Sequence, residues 1–163
     1  MRFIVFAVLV CSMLVSYNDA EAQVHKPVKW HFSTVPLNNR EVKLVFTANL
    51  EDGWHIYSQH LDEGGPLPTT FRLEPSKDYE PVKTISEEST PVKSYDQTFM
   101  MDIVWFEKTA VFTQTVKLLV PVTTIKGKVE FMACREELCL PPDDVEFSVE
   151  VKTPGNTGKS KSK

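Results

Sequence analysis

Apolar and polar positions alternate with a two-residue period along most of this chain. Val42, Leu44, Phe46, Ala48 and Leu50 fall on one row, and Lys43, Val45, Thr47 and Asn49 on the other. That is the pattern of a strand with one buried face. The same habit, rich in β-branched and aromatic residues, predicts strands over Val28–Val35, Trp54–Tyr57, Thr69–Glu74, Glu80–Ile85, Ile103–Phe106, Ala110–Val120, Gly127–Ala133 and Asp144–Val151. Turn chemistry separates them: Asn38-Asn-Arg40, Glu51-Asp-Gly53, a loop over Asp62–Pro68 with two glycines and two prolines, and a polar break over Glu87–Pro91. The segment Asp96-Gln-Thr-Phe99-Met-Met101 is expected to be a loop, with unusually apolar content for one.

No stretch carries a convincing 3.6-residue period. About eight or nine short strands, with turn signals every 8 to 12 residues or so, predict an all-β fold, an immunoglobulin-like antiparallel β-sandwich. The Cys…Trp…Cys spacing of antibody domains is absent, so the likeness is one of architecture.

The ends of the chain differ from this pattern. Arg2 precedes an apolar run from Phe3 to Val15, and Ala20-Glu-Ala22 offers a small-x-small cleavage site. The run is shorter than the roughly 20 residues a membrane span needs, and its flanks are those of an export signal over residues 1–22. Cys11 is expected to leave with it. Past Val151 the chain has no hydrophobic residue, and residues 153–163 are expected to be a disordered polar tail. Residues 23–152 then form one domain. Losing Arg2, Asp19 and Glu21 takes the 18 basic and 22 acidic side chains to 17 and 20. No basic patch or fold signature points to nucleic acid, and a monomer is the default. An exported chain can keep a disulfide.

Two cysteines remain, in Phe131-Met-Ala-Cys134-Arg-Glu-Glu-Leu-Cys139-Leu-Pro-Pro142. The strands on either side place them at the tip of an antiparallel pair, where facing Cα atoms are close enough for a disulfide. A ring of about six residues stabilises by roughly 2 kcal/mol in the loop-entropy model, so this is a poor place for a staple. Arg135, Glu136 and Glu137 make the neighbourhood net negative, which does not favour a spontaneously reactive thiolate. Three readings stay open: a redox pair, a structural disulfide in a binding or adaptor module, and a metal site formed with His55 and His60. No nucleophile elbow or phosphate-binding glycine loop appears.

The run Val129-Glu-Phe-Met-Ala-Cys134, the Cys139-Leu-Pro-Pro142 exit, Gly53-Trp-His-Ile-Tyr57 and Tyr95-Asp-Gln-Thr-Phe99 resemble, in order and spacing, the N-terminal periplasmic domain of the DsbD thiol:disulfide interchange reductase. The resemblance covers nearly all of the mature chain. It implies an immunoglobulin-like carrier, a component of a protein-disulfide reductase. Such a carrier takes electrons from a membrane-embedded donor protein and passes them to exported thioredoxin-like proteins, without a small-molecule cofactor. By position, Cys139 would form the mixed disulfide with partners and Cys134 would resolve it. Phe99 would cap the disulfide, and Tyr57 and Asp96 would line the site. By their bland readings, Phe99 is core, Tyr57 a packed strand aromatic, Asp96 a turn residue and Trp54 core. The chain departs from the family pattern in having one residue fewer between the cysteines and in Gln97 where an acidic residue is expected. Without a fused membrane segment or thioredoxin-like domain, it is expected to act as a stand-alone module.

Overall fold

The computed structural model describes residues 25–97 and 99–153. The expected export signal lies outside them, as does the tail beyond Thr153; Thr153 itself still donates its N–H to the Pro121 carbonyl at 3.0 Å. The strands are β1 (Val28–Pro36), β2 (Glu41–Leu50), β3 (His55–Tyr57), β4 (Thr70–Leu73), β5 (Tyr79–Pro81), β6 (Ser86–Glu87), β7 (Val92–Asp96), β8 (Met101–Glu107), β9 (Thr109–Leu118), β10 (Val122–Phe131), β11 (Ala133–Arg135), β12 (Leu138–Cys139) and β13 (Asp143–Lys152). Every ladder is antiparallel.

One sheet has the order β1-β2-β9-β5, with β6 also on β9; a second has β13-β10-β4. The inward row of β2, from Val42 to Leu50, meets the inward rows of β10 and β13 in one core. Aromatic rings fill the space between the sheets: Phe147 lies 4.9 Å from Phe32 and 5.2 Å from Phe46, and Trp30 lies 5.5 Å from Phe131. Alternation along the chain thus becomes face-to-face packing, the sandwich the sequence predicts. At Gly127 the strands come too close for a side chain. A Cβ there would overlap the Arg72 carbonyl and stand 2.7 Å from Cζ of Phe147.

The third sheet, β12-β11-β3-β8-β7, carries the candidate chemistry. Its inner face sends Ile56, Phe106 and Ala133 into the main core. Its outer face holds a satellite cluster of Tyr57, Ile103 and Cys134, flanked by Leu61, Met101, Trp105 and Met132.

Three expectations need correction. β10 and β13 do pair, but their ladder ends at Phe131↔Asp143. Residues 132–142 leave that sheet, so the cysteines sit on a separate small hairpin in the third one. The strand expected over Glu80–Ile85 is cut to β5 (Tyr79–Pro81), with β6 (Ser86–Glu87) following at the start of the expected polar break. The chain from Val92 to Asp96, where no strand is expected and Asp96 opens the expected loop, is the edge strand β7. Val92 to Tyr95 are all exposed, so β7 has no apolar row for a sequence pattern to reveal.

Candidate functional site

The cysteine hairpin is held by few interactions. Cys134 faces Cys139 and Arg135 faces Leu138, leaving Glu136 and Glu137 as a two-residue turn. Glu136 has φ 52°, a left-handed conformation in which side chains other than glycine are disfavoured. The Leu140 N–H donates to the Ala133 carbonyl at 2.9 Å. The two sulfurs are bonded, with the Cα atoms 4.1 Å apart.

The two halves of this bond live in different surroundings. β12 is an edge strand, and Cys139 on it is exposed. β11 lies between β12 and β3, and Cys134 has 0 % exposure. Sheet position alone makes one cysteine approachable and hides the other.

Cross-strand register defines the rest. Cys134 faces His55, and His55 faces Glu107 on β8. Facing residues project to the same side of a sheet, so Cys139, Cys134, His55 and Glu107 form one row across four strands. Tyr57 and Trp105 face each other in the next row. The Tyr57 hydroxyl and His55 Nε2 are 3.2 Å apart, and the Trp105 indole N–H donates to Glu107 Oε1 at 2.8 Å. Burial lowers the pKa of His55, opposed by the Glu107 charge. Burial, aided by the Asp96 charge, raises that of Tyr57 and keeps its hydroxyl protonated. Thr69, itself buried, donates its hydroxyl to the Tyr57 carbonyl at 2.6 Å and pins the end of β3.

Flanking groups fix the hairpin from the other side. Trp54 is core, as read from the sequence, and the Arg135 guanidinium lies 5.1 Å from its ring centre. Gly53, with φ 80°, turns the chain into β3 beside the stem of Arg135.

The structure therefore brings Cys134, Cys139 and Tyr57 together, with Asp96 near enough to act on Tyr57. Asp96 is also a turn residue, its Oδ1 accepting the Phe99 N–H at 3.1 Å. Phe99 belongs to neither core cluster. It is 38 % exposed in the connection between β7 and β8, beside Met100 at 75 %. His60 is exposed, and the described residues contain no group of three or more His, Cys, Asp or Glu side chains able to hold an ion. Sequence reasoning did not single out Trp105 or Glu107, and it considered His55 only as a metal ligand. Their signal is the register of β3 between β8 and β11, which a single strand's pattern does not contain.

Among the described residues no helix is long and apolar enough to cross a membrane. No curated protein sequence matches the chain. Among the solved structures similar to this chain are two at low identity. The reduced-form N-terminal domain of DsbD from Neisseria meningitidis has a TM-score of 0.52 at 16% identity, over 83% of this chain and 95% of that one. The N-terminal periplasmic domain of ScsB from Proteus mirabilis has 0.55 at 15% identity, over 85% of this chain and 49% of that one. These likenesses show the fold, an immunoglobulin-like β-sandwich. The family model described as thiol:disulfide interchange protein DsbD, N-terminal, matches residues 21–151. The chain, with its cysteine pair astride an edge strand and the strand beside it, belongs to the DsbD N-terminal domain family.

Proposed function

We propose that this protein is an exported, periplasmic thiol:disulfide exchange carrier working through Cys134 and Cys139. The observation that carries the reading is the unequal exposure of the two halves of one small-ring disulfide: Cys139 open on an edge strand, Cys134 at 0 %. A thiolate of the electron donor attacks Sγ of Cys139. The Cys134–Cys139 bond breaks, its electron pair leaves on Cys134, and that sulfur takes up a proton. A second donor thiolate then breaks the mixed disulfide, leaving the carrier reduced by two electrons and the donor oxidised. Delivery runs in reverse: Cys139 attacks the acceptor's disulfide, and Cys134 closes the ring to release it. The donor is a membrane-embedded protein and the acceptors are exported thioredoxin-like proteins. Cytochrome c biogenesis is one use of such a relay.

Phe99 acts as a movable cap over the pair, and Tyr57 and Asp96 line the site. The exposed Phe99 and Met100, in the connection between β7 and β8 of the same sheet, support an apolar docking surface for a partner.

A Cys134→Ser variant, lacking the resolving sulfur, should accumulate mixed disulfides with exported thioredoxin-like proteins in cells. Cys139→Ser should not. A blank from both, with the variants folded, would favour the alternative of an immunoglobulin-like adaptor whose disulfide is structural.

A further inference from the structure

Cys134 poses a proton problem. It is packed with Tyr57, Ile103, Met101, Trp105 and Met132 at 0 % exposure. To close the ring it must become a thiolate, and an unpaired charge in such surroundings is strongly disfavoured. Arg135, next in sequence, is turned to the opposite side of the sheet, onto Trp54. A proton acceptor beside Cys134 removes the difficulty, since the charge then need exist only as the new bond forms.

His55 stands in that place. It faces Cys134 across the β3–β11 ladder, and directly facing side chains have Cβ atoms about 4.5–5.5 Å apart. The groups around the imidazole are Cys134 from β11, Glu107 and Trp105 from β8, and Tyr57 from its own strand. Asp96 acts on Tyr57, and Glu136 and Glu137 are exposed at the hairpin tip. In the tautomer whose Nε2–H donates to the Tyr57 hydroxyl oxygen, Nδ1 holds the free lone pair that can take a proton. Burial of the ring favours its neutral, proton-accepting form near neutral pH.

We propose that His55 accepts the proton of Cys134 as that thiol closes the ring and, once protonated again from solvent, supplies one to Cys134 when a donor reopens the disulfide. This rests on the exchange reading above. The Cys134 proton passes to the imidazole as its sulfur attacks Sγ of Cys139. The Cys134–Cys139 bond forms, the bond from Cys139 to the partner breaks, and the electron pair leaves on the partner's sulfur. That thiolate is protonated by solvent, and the imidazolium returns its proton to water. Two electrons have then moved from the cysteine pair to the partner's disulfide.

The test is the ring-closure rate of the reduced, full-length protein, mixed with excess oxidised glutathione so that closure limits, from about pH 5.5 to 9.5. Folding of each variant is checked by its melting transition. His55→Gln keeps a side chain able to hydrogen-bond Tyr57 but cannot take the proton. It should close roughly 10²-fold more slowly at pH 7, and the gap should narrow toward pH 9.5 as the thiol ionises unaided. Glu107→Gln removes the charge that supports the imidazolium, so the acid limb of the wild-type profile should move to lower pH. Superimposable profiles for His55→Gln and wild type would overturn the proposal, as would an acid limb unmoved in Glu107→Gln. If the wild-type protein forms the mixed disulfide yet never closes the ring, the exchange reading itself fails, and the proton role with it.

Discussion

Reducing the Cys134–Cys139 bond should cost the fold no more than about 2 kcal/mol. The bond closes a ring over a sequence separation of 5, for which the loop-entropy model gives roughly that value. The surrounding structure makes it an upper limit. β11 remains paired with β3 through Ala133 and Cys134 whether or not the sulfurs are joined. The Leu140 N–H can still reach the Ala133 carbonyl. What reduction frees is β12, two exposed residues at a sheet edge. The same free energy makes the native pair harder to reduce than the same pair in the unfolded chain, by at most ~40 mV for two electrons. Urea unfolding followed by tryptophan fluorescence, with and without dithiothreitol, measures the stability difference. A loss above about 4 kcal/mol, or a broad transition in the reduced protein, would refute the reasoning. The bond would then be holding tertiary structure, as the adaptor reading requires.

Three further outcomes follow from the packing. Gly127→Ala should lose about 3 kcal/mol or more, beyond ordinary overpacking, because the new methyl meets the Arg72 carbonyl as well as the Phe147 ring; a melting temperature within a degree of wild type would contradict this. Glu136→Gly should stabilise the oxidised protein by about 1 kcal/mol by relieving the left-handed turn residue, read as a shift in urea midpoint at unchanged slope. Burial depresses the His55 pKa, so the unfolded chain binds that proton more readily than the folded one. Stability should therefore fall as pH drops through 6.5, the unfolded value, and His55→Gln should flatten that dependence; an unchanged slope would mean His55 is as solvated in the fold as out of it.

Much of this was legible along the chain. The alternation from Val42 to Leu50 becomes a strand whose even-numbered residues are all buried. The turn at Glu51-Asp-Gly53 appears, with Gly53 at positive φ. The pairing of the strands before and after the cysteines was also foreseeable, because each carries its own apolar row. β7 was not, since an exposed edge strand has no buried row to display. The placement of the hairpin was hidden too. That Cys134 leaves the β10–β13 sheet and joins β3 depends on which strand accepts its backbone hydrogen bonds, a long-range choice that no local pattern records.

The sequence by itself determined that two cysteines stand five positions apart between strands of an all-β chain. Spacing sets ring size, and alternation sets which residues seek the core. The difference between the cysteines belongs to the tertiary structure. Residues so close in sequence share nearly the same local chemistry, but β12 is an edge and β11 is interior. One sulfur-bearing residue is therefore left to partners, and the other is sealed beside His55. Pairing between distant strands made that distinction.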